Sequence, residues 1–184
     1  MILTKLSSRR KKTVVRAIRL TEELNHNLEA EAESKGITVS SLISSIFTKY
    51  EAFDIPTERM GAVHFIQQVF QHLLEAMSEE NFRKSYPLIE DEWLSMVEFT
   101  TKQKATFENY WASLESFGNY SGLYRLNAFR EDDGRFTMSL HHPFGKKWSD
   151  GLESVISEIL GRLGARVLSH SSTAETVLIS GETP

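Results

Sequence analysis

The segment from Thr13 to Phe53 constrains the fold most, because it encodes one short strand and two helices and little else. Val14, Ile18 and Leu20 fall on one side of an alternating pattern, which predicts a half-buried strand. A unit of about 40 residues rarely buries a sufficient core alone. The chain has no cysteine that would supply a disulfide or a cysteine-ligated zinc site. We therefore expect this segment to fold together with a second copy of itself.

Both predicted helices carry the sequence signals of a helix terminus. Thr21 is a suitable N-cap for the first helix, and Gly36 can end it as the residue that adopts a left-handed conformation. Thr38 is the expected N-cap of the second helix. Apolar side chains recur at helical spacing in that helix, at Leu42, Ile43, Ile46, Phe47 and Tyr50. The pattern predicts two amphipathic helices that share a core with the strand.

Four sequence features together resemble the ribbon-helix-helix family, the fold of the Met and Arc repressors, over residues 13–53. They are the strand VVRAIRL, the helix start TEEL, the junction KGITVSS and the helix LISSIF. In that family the strands of two chains pair in the DNA major groove, and the outward side chains read base edges. The resemblance implies that Val15, Ala17 and Arg19 read bases. Arg19 is suited to a bidentate contact with guanine, and the other two can contact a thymine methyl.

The resemblance also implies a phosphate site at the start of the second helix, at Thr38, Val39 and Ser40. General physics supports this expectation, because the free N–H groups and the positive dipole end of a helix N-terminus attract anions. A plain cap without a ligand is the alternative reading of Thr38.

Positive charge is concentrated at the start of the chain. Residues 1–20 contain seven Lys or Arg and no acidic residue, whereas the whole chain has a net charge of -4. A basic arm, residues 1–12, is expected to contact DNA phosphates through Arg9, Arg10, Lys11 and Lys12. A disordered, solubilising tail is the alternative.

The predicted DNA-binding unit spans residues 13–55, because Pro56 is expected to end the second helix at Asp54 and Ile55. Residues 56–184 are expected to form a separate α+β domain. Apolar residues at helical spacing predict one helix at the start of this domain, lined by Met60, Val63, Ile66, Val69, Phe70, Leu73, Leu74 and Met77. A second helical region follows with a break at TTKQK, and then a β-β-α-β-β order that predicts an antiparallel sheet covered by helices on one face. The fold class is thus mainly α with α+β.

No catalytic or nucleotide-binding motif is present in the second region, so an enzyme is the least favoured class. His141 and His142 are adjacent on a predicted strand and should point to opposite faces, and His64, His72 and His170 are scattered. Aromatic residues such as Phe107, Tyr110, Trp111 and Phe117 are expected in the core. We expect no cofactor and no tight metal site.

The leading hypothesis is a homodimeric transcriptional regulator that binds double-stranded DNA, with a C-terminal domain that senses an unknown small-molecule or protein effector or mediates assembly. One alternative is an antitoxin-type autoregulator whose C-terminal part binds a protein toxin. Another is a metal-responsive repressor resembling the nickel regulator. Because no apolar stretch approaches the roughly 20 residues of a membrane span, we expect a cytoplasmic protein without a membrane partner.

Overall fold

The structure is a computed structural model that describes residues 14–184. The chain divides into two compact units: the first ends at Ile46, and the second is Phe47–Pro184. This division lies nine residues before the boundary expected after residue 55. The predicted basic arm, residues 1–12, and Thr13 lie outside the described residues, so the placement of Arg9, Arg10, Lys11 and Lys12 stays a prediction.

Two capped helices begin in the first unit, α1 (Glu22–Ser34) and α2 (Val39–Lys49). The hydroxyl of Thr21 accepts a hydrogen bond from the N–H of Leu24 at 3.2 Å, which caps α1. At the start of α2, the hydroxyl of Thr38 accepts from the N–H of Ser41 at 3.1 Å. Gly36 lies between the helices with a φ of 64°, a conformation that favours glycine. Both predicted N-caps and the predicted turn glycine are confirmed.

Residues 14–20 adopt no regular secondary structure in this single chain. An isolated strand has no ladder of hydrogen bonds, and the predicted ribbon draws that ladder from the strand of a second copy. The structure contains one chain. The ribbon therefore remains a prediction about the dimer.

The helical backbone continues past Asp54, so the predicted end of the second helix at Pro56 is wrong. A π-helical turn (Tyr50–Asp54) leads directly into α3 (Ile55–Arg59), and the N–H of Ile55 donates to the carbonyl of Tyr50. The wider turn accommodates the proline ring, which has no N–H to donate to Ala52. The hydroxyl of Ser116 donates to that carbonyl at 3.0 Å instead, so the unpaired acceptor is satisfied.

The helical half of the second unit contains more and shorter helices than the spacing of its apolar residues predicts. Its helices after α3 are α4 (Gln67–Ala76), α5 (Glu79–Lys84), α6 (Tyr86–Thr101) and α7 (Phe107–Tyr120). The prediction of one helix from Met60 to Met77 is wrong, because residues 62–66 are not helical. Gly61 precedes that segment with a φ of 71°, which interrupts a right-handed helix. The predicted break at TTKQK is confirmed, and it separates α6 from α7.

The C-terminal half forms the predicted antiparallel β-β-α-β-β arrangement. Its strands are β1 (Arg125–Arg130), β2 (Arg135–His141), β3 (Arg166–Ser172) and β4 (Thr176–Glu182), in the sheet order β1-β2-β4-β3. Helix α8 (Lys146–Arg162) connects β2 to β3. Asp132-Asp133-Gly134 is a hairpin signal in the sequence, and the turn that joins β1 and β2 is found there, with a φ of 87° at Gly134.

One face of this sheet supplies the core of the second unit. Alternate residues of β2 and β4 are buried, namely Phe136, Met138, Leu140, Val177 and Ile179. They join buried residues of α7 and α8, including Leu114, Ile156 and Ile159, in one apolar cluster. Phe107, Tyr110 and Trp111 belong to the same cluster, so their predicted core role is confirmed. This core fixes α6, α7 and α8 on one side of the sheet.

Candidate functional site

The first unit leaves most of its large apolar side chains in contact with solvent. Ala32 and Leu42 are the buried apolar residues among residues 14–46. Ile18 is 55% exposed and Ile46 is 46% exposed, and further exposed side chains in this range, apart from the predicted base reader Val15, are Val14, Leu24 and Ile37. Burial of one such side chain typically contributes about 1.5 to 3 kcal/mol. These exposed apolar side chains of residues 14–46, here called the apolar stripe, are therefore ones that a complete core would bury.

The three predicted base-reading residues lie before α1 and are all exposed. Val15 is 94% exposed, and Ala17 and Arg19 are also open to solvent. Arg19 forms no ion pair with any residue in the range 14–184, so its guanidinium is available for a partner. The structure thus leaves Val15, Ala17 and Arg19 unobstructed within this unit.

Thr38 is the N-cap of α2, and Val39 and Ser40 are its first two residues. The hydroxyl of Thr38 is used in the cap, and it also lies 2.9 Å from the hydroxyl of Ser41. Ser40 is exposed and Val39 is half-buried. The N–H groups of the first two residues of a helix have no partner within the helix. The geometry leaves backbone donors for an anion here, whereas the Thr38 hydroxyl is already bonded.

The second unit contains an apolar pocket of about 680 Å³ that sequence reasoning missed. Its walls come from the π-helical turn, α3, the segment 62–66 and the helices α4 to α8. Aromatic side chains dominate the lining, including Phe53, Phe70, Phe82, Tyr86, Trp93 and Trp148. The volume falls within the range of about 300 to 1,000 Å³ that is typical of small-molecule sites.

Edge-to-face contacts between aromatic rings hold the walls of this pocket. The ring of Phe70 lies 5.1 Å from Phe144 and 5.2 Å from Trp148, in both cases nearly perpendicular. Phe53 meets Phe117 at 5.4 Å in the same arrangement. Such pairs contribute roughly 0.5 to 1.5 kcal/mol beyond the area that they bury. The pocket is thus bounded by rings that hold one another in place.

A close approach at Gly151 brings α8 against α5 beside the pocket. A methyl group added at Gly151 would lie 2.7 Å from the ring of Phe82, closer than side chains tolerate. Lys147 ties α4 to α8, because its ammonium donates to the carbonyls of Leu74 at 2.8 Å and Met77 at 2.6 Å. These two carbonyls lie at the end of α4, where the helix dipole favours a cation.

Several polar groups in the pocket wall are bonded to other parts of the protein. The indole of Trp93 donates to the Ser113 hydroxyl at 3.1 Å, and the indole of Trp148 donates to the Leu123 carbonyl at 3.2 Å. The Thr57 hydroxyl donates to the carbonyl of Phe53 at 2.8 Å. These groups stabilise the wall and present its apolar surfaces to the pocket interior.

A second cleft, more polar and about 670 Å³ in volume, adjoins the apolar pocket. The two share Gln67, Gly122 and Tyr124 in their linings. Arg125 and Glu175 each contribute one charge of opposite sign to the cleft, and His141 lies beside them. Burial raises the pKa of the Tyr124 phenol well above its ordinary range, so this hydroxyl stays protonated and donates to the Leu114 carbonyl at 3.1 Å.

His141 and His142 diverge, as predicted for neighbours at a strand end. His141 is exposed, and its Nδ1 lies 3.1 Å from the Thr176 hydroxyl. His142 is only 6% exposed; its Nδ1 accepts from the N–H of Phe144 at 3.2 Å, so Nε2 carries the proton and donates to the Ser149 hydroxyl at 2.8 Å. Burial, assisted by the neighbouring His141, lowers the pKa of His142 to about 4.

Acidification should destabilise the protein through His142. The unfolded chain binds a proton at this imidazole near pH 6.5 and the folded chain near pH 4, so the stabilisation is complete above pH 6.5 and is lost as the pH falls towards 4. The free energy of unfolding should fall between pH 7 and pH 4.5. We expect this fall to be about 1 to 3 kcal/mol smaller in His142→Gln than in the unsubstituted protein. Urea unfolding of both proteins at the two pH values measures this difference. His141→Gln is the matched control, and an unchanged pH dependence in His142→Gln would contradict the assignment.

The remaining histidines have separate surroundings. His170 lies 2.5 Å from a carboxylate oxygen of Glu153, and His72 lies 3.4 Å from one of Glu75. His64 lines the apolar pocket. Residues 14–184 contain no group of three or more His, Asp or Glu side chains placed to hold a metal ion.

One sign of the pocket in the sequence is the density of aromatic residues from Phe65 to Trp93, but their region has helical spacing, which predicts helix and core. Within residues 14–184 no helix combines the length and the apolar character that crossing a bilayer requires. Comparisons of the chain with protein-family models, with curated proteins and with solved structures found no match.

Proposed function

We propose that the protein is a homodimeric, sequence-specific DNA-binding regulator whose paired N-terminal strands bind the major groove. The observation that carries the proposal is the exposed apolar stripe of the first unit. A capped helix pair that buries only Ala32 and Leu42 within residues 14–46 is unstable by itself and is completed by a second copy. The preceding segment 14–20 then gains the partner strand that it lacks in one chain.

Charge and side-chain chemistry support DNA as the partner of this dimer. Residues 1–20 carry seven cationic side chains and no carboxylate in a chain that is acidic overall. A local concentration of Lys and Arg binds phosphates and releases counterions. Arg19 is exposed and has no ion-pair partner among the described residues, which leaves its fork of donors available for a base edge.

The second unit fits the role of a ligand-sensing or assembly domain in this regulator. It has its own core and an apolar pocket of ligand size. An antitoxin-type tail that folds on its toxin would lack such a core. This contrast favours the regulator over the antitoxin alternative.

Selection of bound sequences from a random DNA pool by the full chain tests the proposal. We expect enrichment of a site with two-fold symmetry, because a symmetric dimer reads two related half-sites. Recovery of unrelated sequences at every round would contradict sequence-specific binding. Sedimentation of the complex then gives the number of chains on each site.

Arg19→Ala should lower affinity for the selected site by about 1 to 3 kcal/mol while changing affinity for random DNA much less. Arg16→Ala is the matched control, because Arg16 lies on the opposite side of the strand pattern from Val15, Ala17 and Arg19, where an arginine at the ribbon edge can reach a phosphate. It should weaken both DNAs alike, and so should neutralising Lys11 and Lys12, which also flattens the salt dependence. Fluorescence anisotropy over a salt series measures all three. Equal weakening of both DNAs by Arg19→Ala would remove it as a base reader.

A further inference from the structure

The apolar pocket of the second unit offers the body of a ligand few hydrogen bonds. Its wall indoles and the Thr57 hydroxyl are bonded within the protein, as described above. The Ser121 hydroxyl likewise donates to the Phe117 carbonyl at 2.6 Å. The remaining polar groups of the lining, on His64, Gln67, Tyr86 and Glu92, are few beside its apolar side chains, so a ligand that fills this volume must bring a largely apolar body.

The described lining of the pocket has one carboxylate, and its one basic side chain is the imidazole of His64. Among the described residues that line it, Glu92 is the one carboxylate, and neither Lys nor Arg occurs. Glu92 is exposed on α6, one residue before Trp93, and forms no ion pair within residues 14–184. The adjoining polar cleft does not reverse this balance, because Arg125 and Glu175 there have opposite charges. An anionic ligand would meet repulsion, and a cation would meet an unpaired carboxylate.

The aromatic side chains of the pocket wall also favour a positively charged ligand. Ring faces carry negative partial charge and attract cations, most strongly at tryptophan. Trp93 and Trp148 both line the pocket, together with Tyr86 and several phenylalanines. Apolar volume, π faces and an unpaired carboxylate at one wall are thus combined in a single cavity.

We propose that this pocket binds a lipophilic organic cation, with an aromatic or alkyl body among the rings and its positive charge attracted by Glu92. The inference gives the chemical class of the effector in the proposed regulator, and its biological role rests on that function. Binding itself is measured on the full-length protein without DNA, so failure of this inference and failure of DNA recognition are separate results.

Tetraphenylphosphonium and tetraphenylborate are suitable probes, because the two ions share size and shape and differ in the sign of the charge. Isothermal titration calorimetry of the full chain should show one tetraphenylphosphonium per chain. We expect the cation to bind about tenfold more tightly than the anion at low salt, and this preference should decrease as salt is added. Tryptophan fluorescence should change on binding, because Trp93 and Trp148 line the site.

Substitutions at Glu92 test the charge directly, and this exposed position should tolerate them without loss of the fold. Glu92→Gln should weaken tetraphenylphosphonium about threefold, the modest size expected for an exposed charge. Glu92→Arg should reverse the preference in favour of tetraphenylborate. Asp132→Asn, which removes an exposed carboxylate from the β1-β2 turn outside the pocket, should leave both affinities unchanged.

Three results would overturn the proposal. They are tighter binding of the anion by the unsubstituted protein, the same ion preference in Glu92→Arg as in the unsubstituted protein, and no saturable binding of either ion. If neither ion bound and Phe65→Ser, at the pocket wall, reduced the number of chains in the assembly, the occupant would be a second copy of the chain.

Discussion

Replacing Ile18 with Asp is expected to convert the proposed dimer into monomers and to unfold the first unit. Ile18 lies on the side of the segment that the predicted ribbon turns towards the shared core, and it is 55% exposed in the single chain. A dimer would enclose the new carboxylate without a partner, which destabilises it by several kcal/mol. Sedimentation equilibrium of the full chain, with circular dichroism at 222 nm, measures assembly and helix content together.

Ala17→Asp is the matched control for this substitution. It introduces the same carboxylate one residue earlier, on the side that the ribbon turns outward to DNA. We expect Ala17→Asp to remain dimeric and to lose DNA affinity through repulsion of phosphates. If Ile18→Asp stayed as dimeric and as helical as Ala17→Asp, the shared-core arrangement would be refuted.

Local signals in the sequence predicted the elements whose ends are determined by their own residues. Thr21 and Thr38 cap their helices in the structure because the capping bond spans only three residues. The turn at Asp132-Asp133-Gly134 was predictable for the same reason, since Gly134 alone supplies the positive φ that the turn requires. In β2 and β4 the buried residues alternate with more exposed ones, as expected for strands with one face in the core.

The helix predicted to end at Pro56 continues because of features that its neighbouring residues do not indicate. Proline disfavours helix in the residue before it, and no sequence signal shows that a π-helical turn resolves the clash. The hydrogen bond from Ser116 to the Ala52 carbonyl that supports this turn joins residues 64 positions apart. Patterns among neighbouring residues do not predict a contact over this distance in the sequence.

The pocket was unpredictable for a related reason. Val63 and Ile66 have helical spacing with the residues of α4, yet they belong to a non-helical segment that forms part of the pocket region. Gly61, whose positive φ ends the helical run, is one ordinary glycine in the sequence. A cavity depends on how several elements meet, which periodicity within each element does not determine.

A methyl group at Gly181 should destabilise the second unit by about 2 to 4 kcal/mol. An added Cβ would lie 2.5 Å from the Arg166 carbonyl oxygen and 2.7 Å from the ring of Phe136, and the first of these atoms is backbone. β3 has an irregular register beside this position, between Val167 and Ser169. To admit the methyl group, the paired strands must separate or the buried Phe136 must leave its position in the core.

Gly161→Ala is the matched control, because it makes the same chemical change in the same unit with the opposite expected sign. Nothing lies within 4 Å of an added Cβ at Gly161, which is near the end of α8 and has no positive φ. Alanine there reduces the freedom of the unfolded chain and favours helix, so we expect a gain of about 0.5 to 1 kcal/mol. Urea unfolding at pH 7 measures both variants. Both substitutions share the effect of glycine to alanine on the unfolded chain, so the difference between their free energies of unfolding isolates the close approach at Gly181. If Gly181→Ala were as stable as Gly161→Ala, β3 and β4 would adapt to the methyl group without cost.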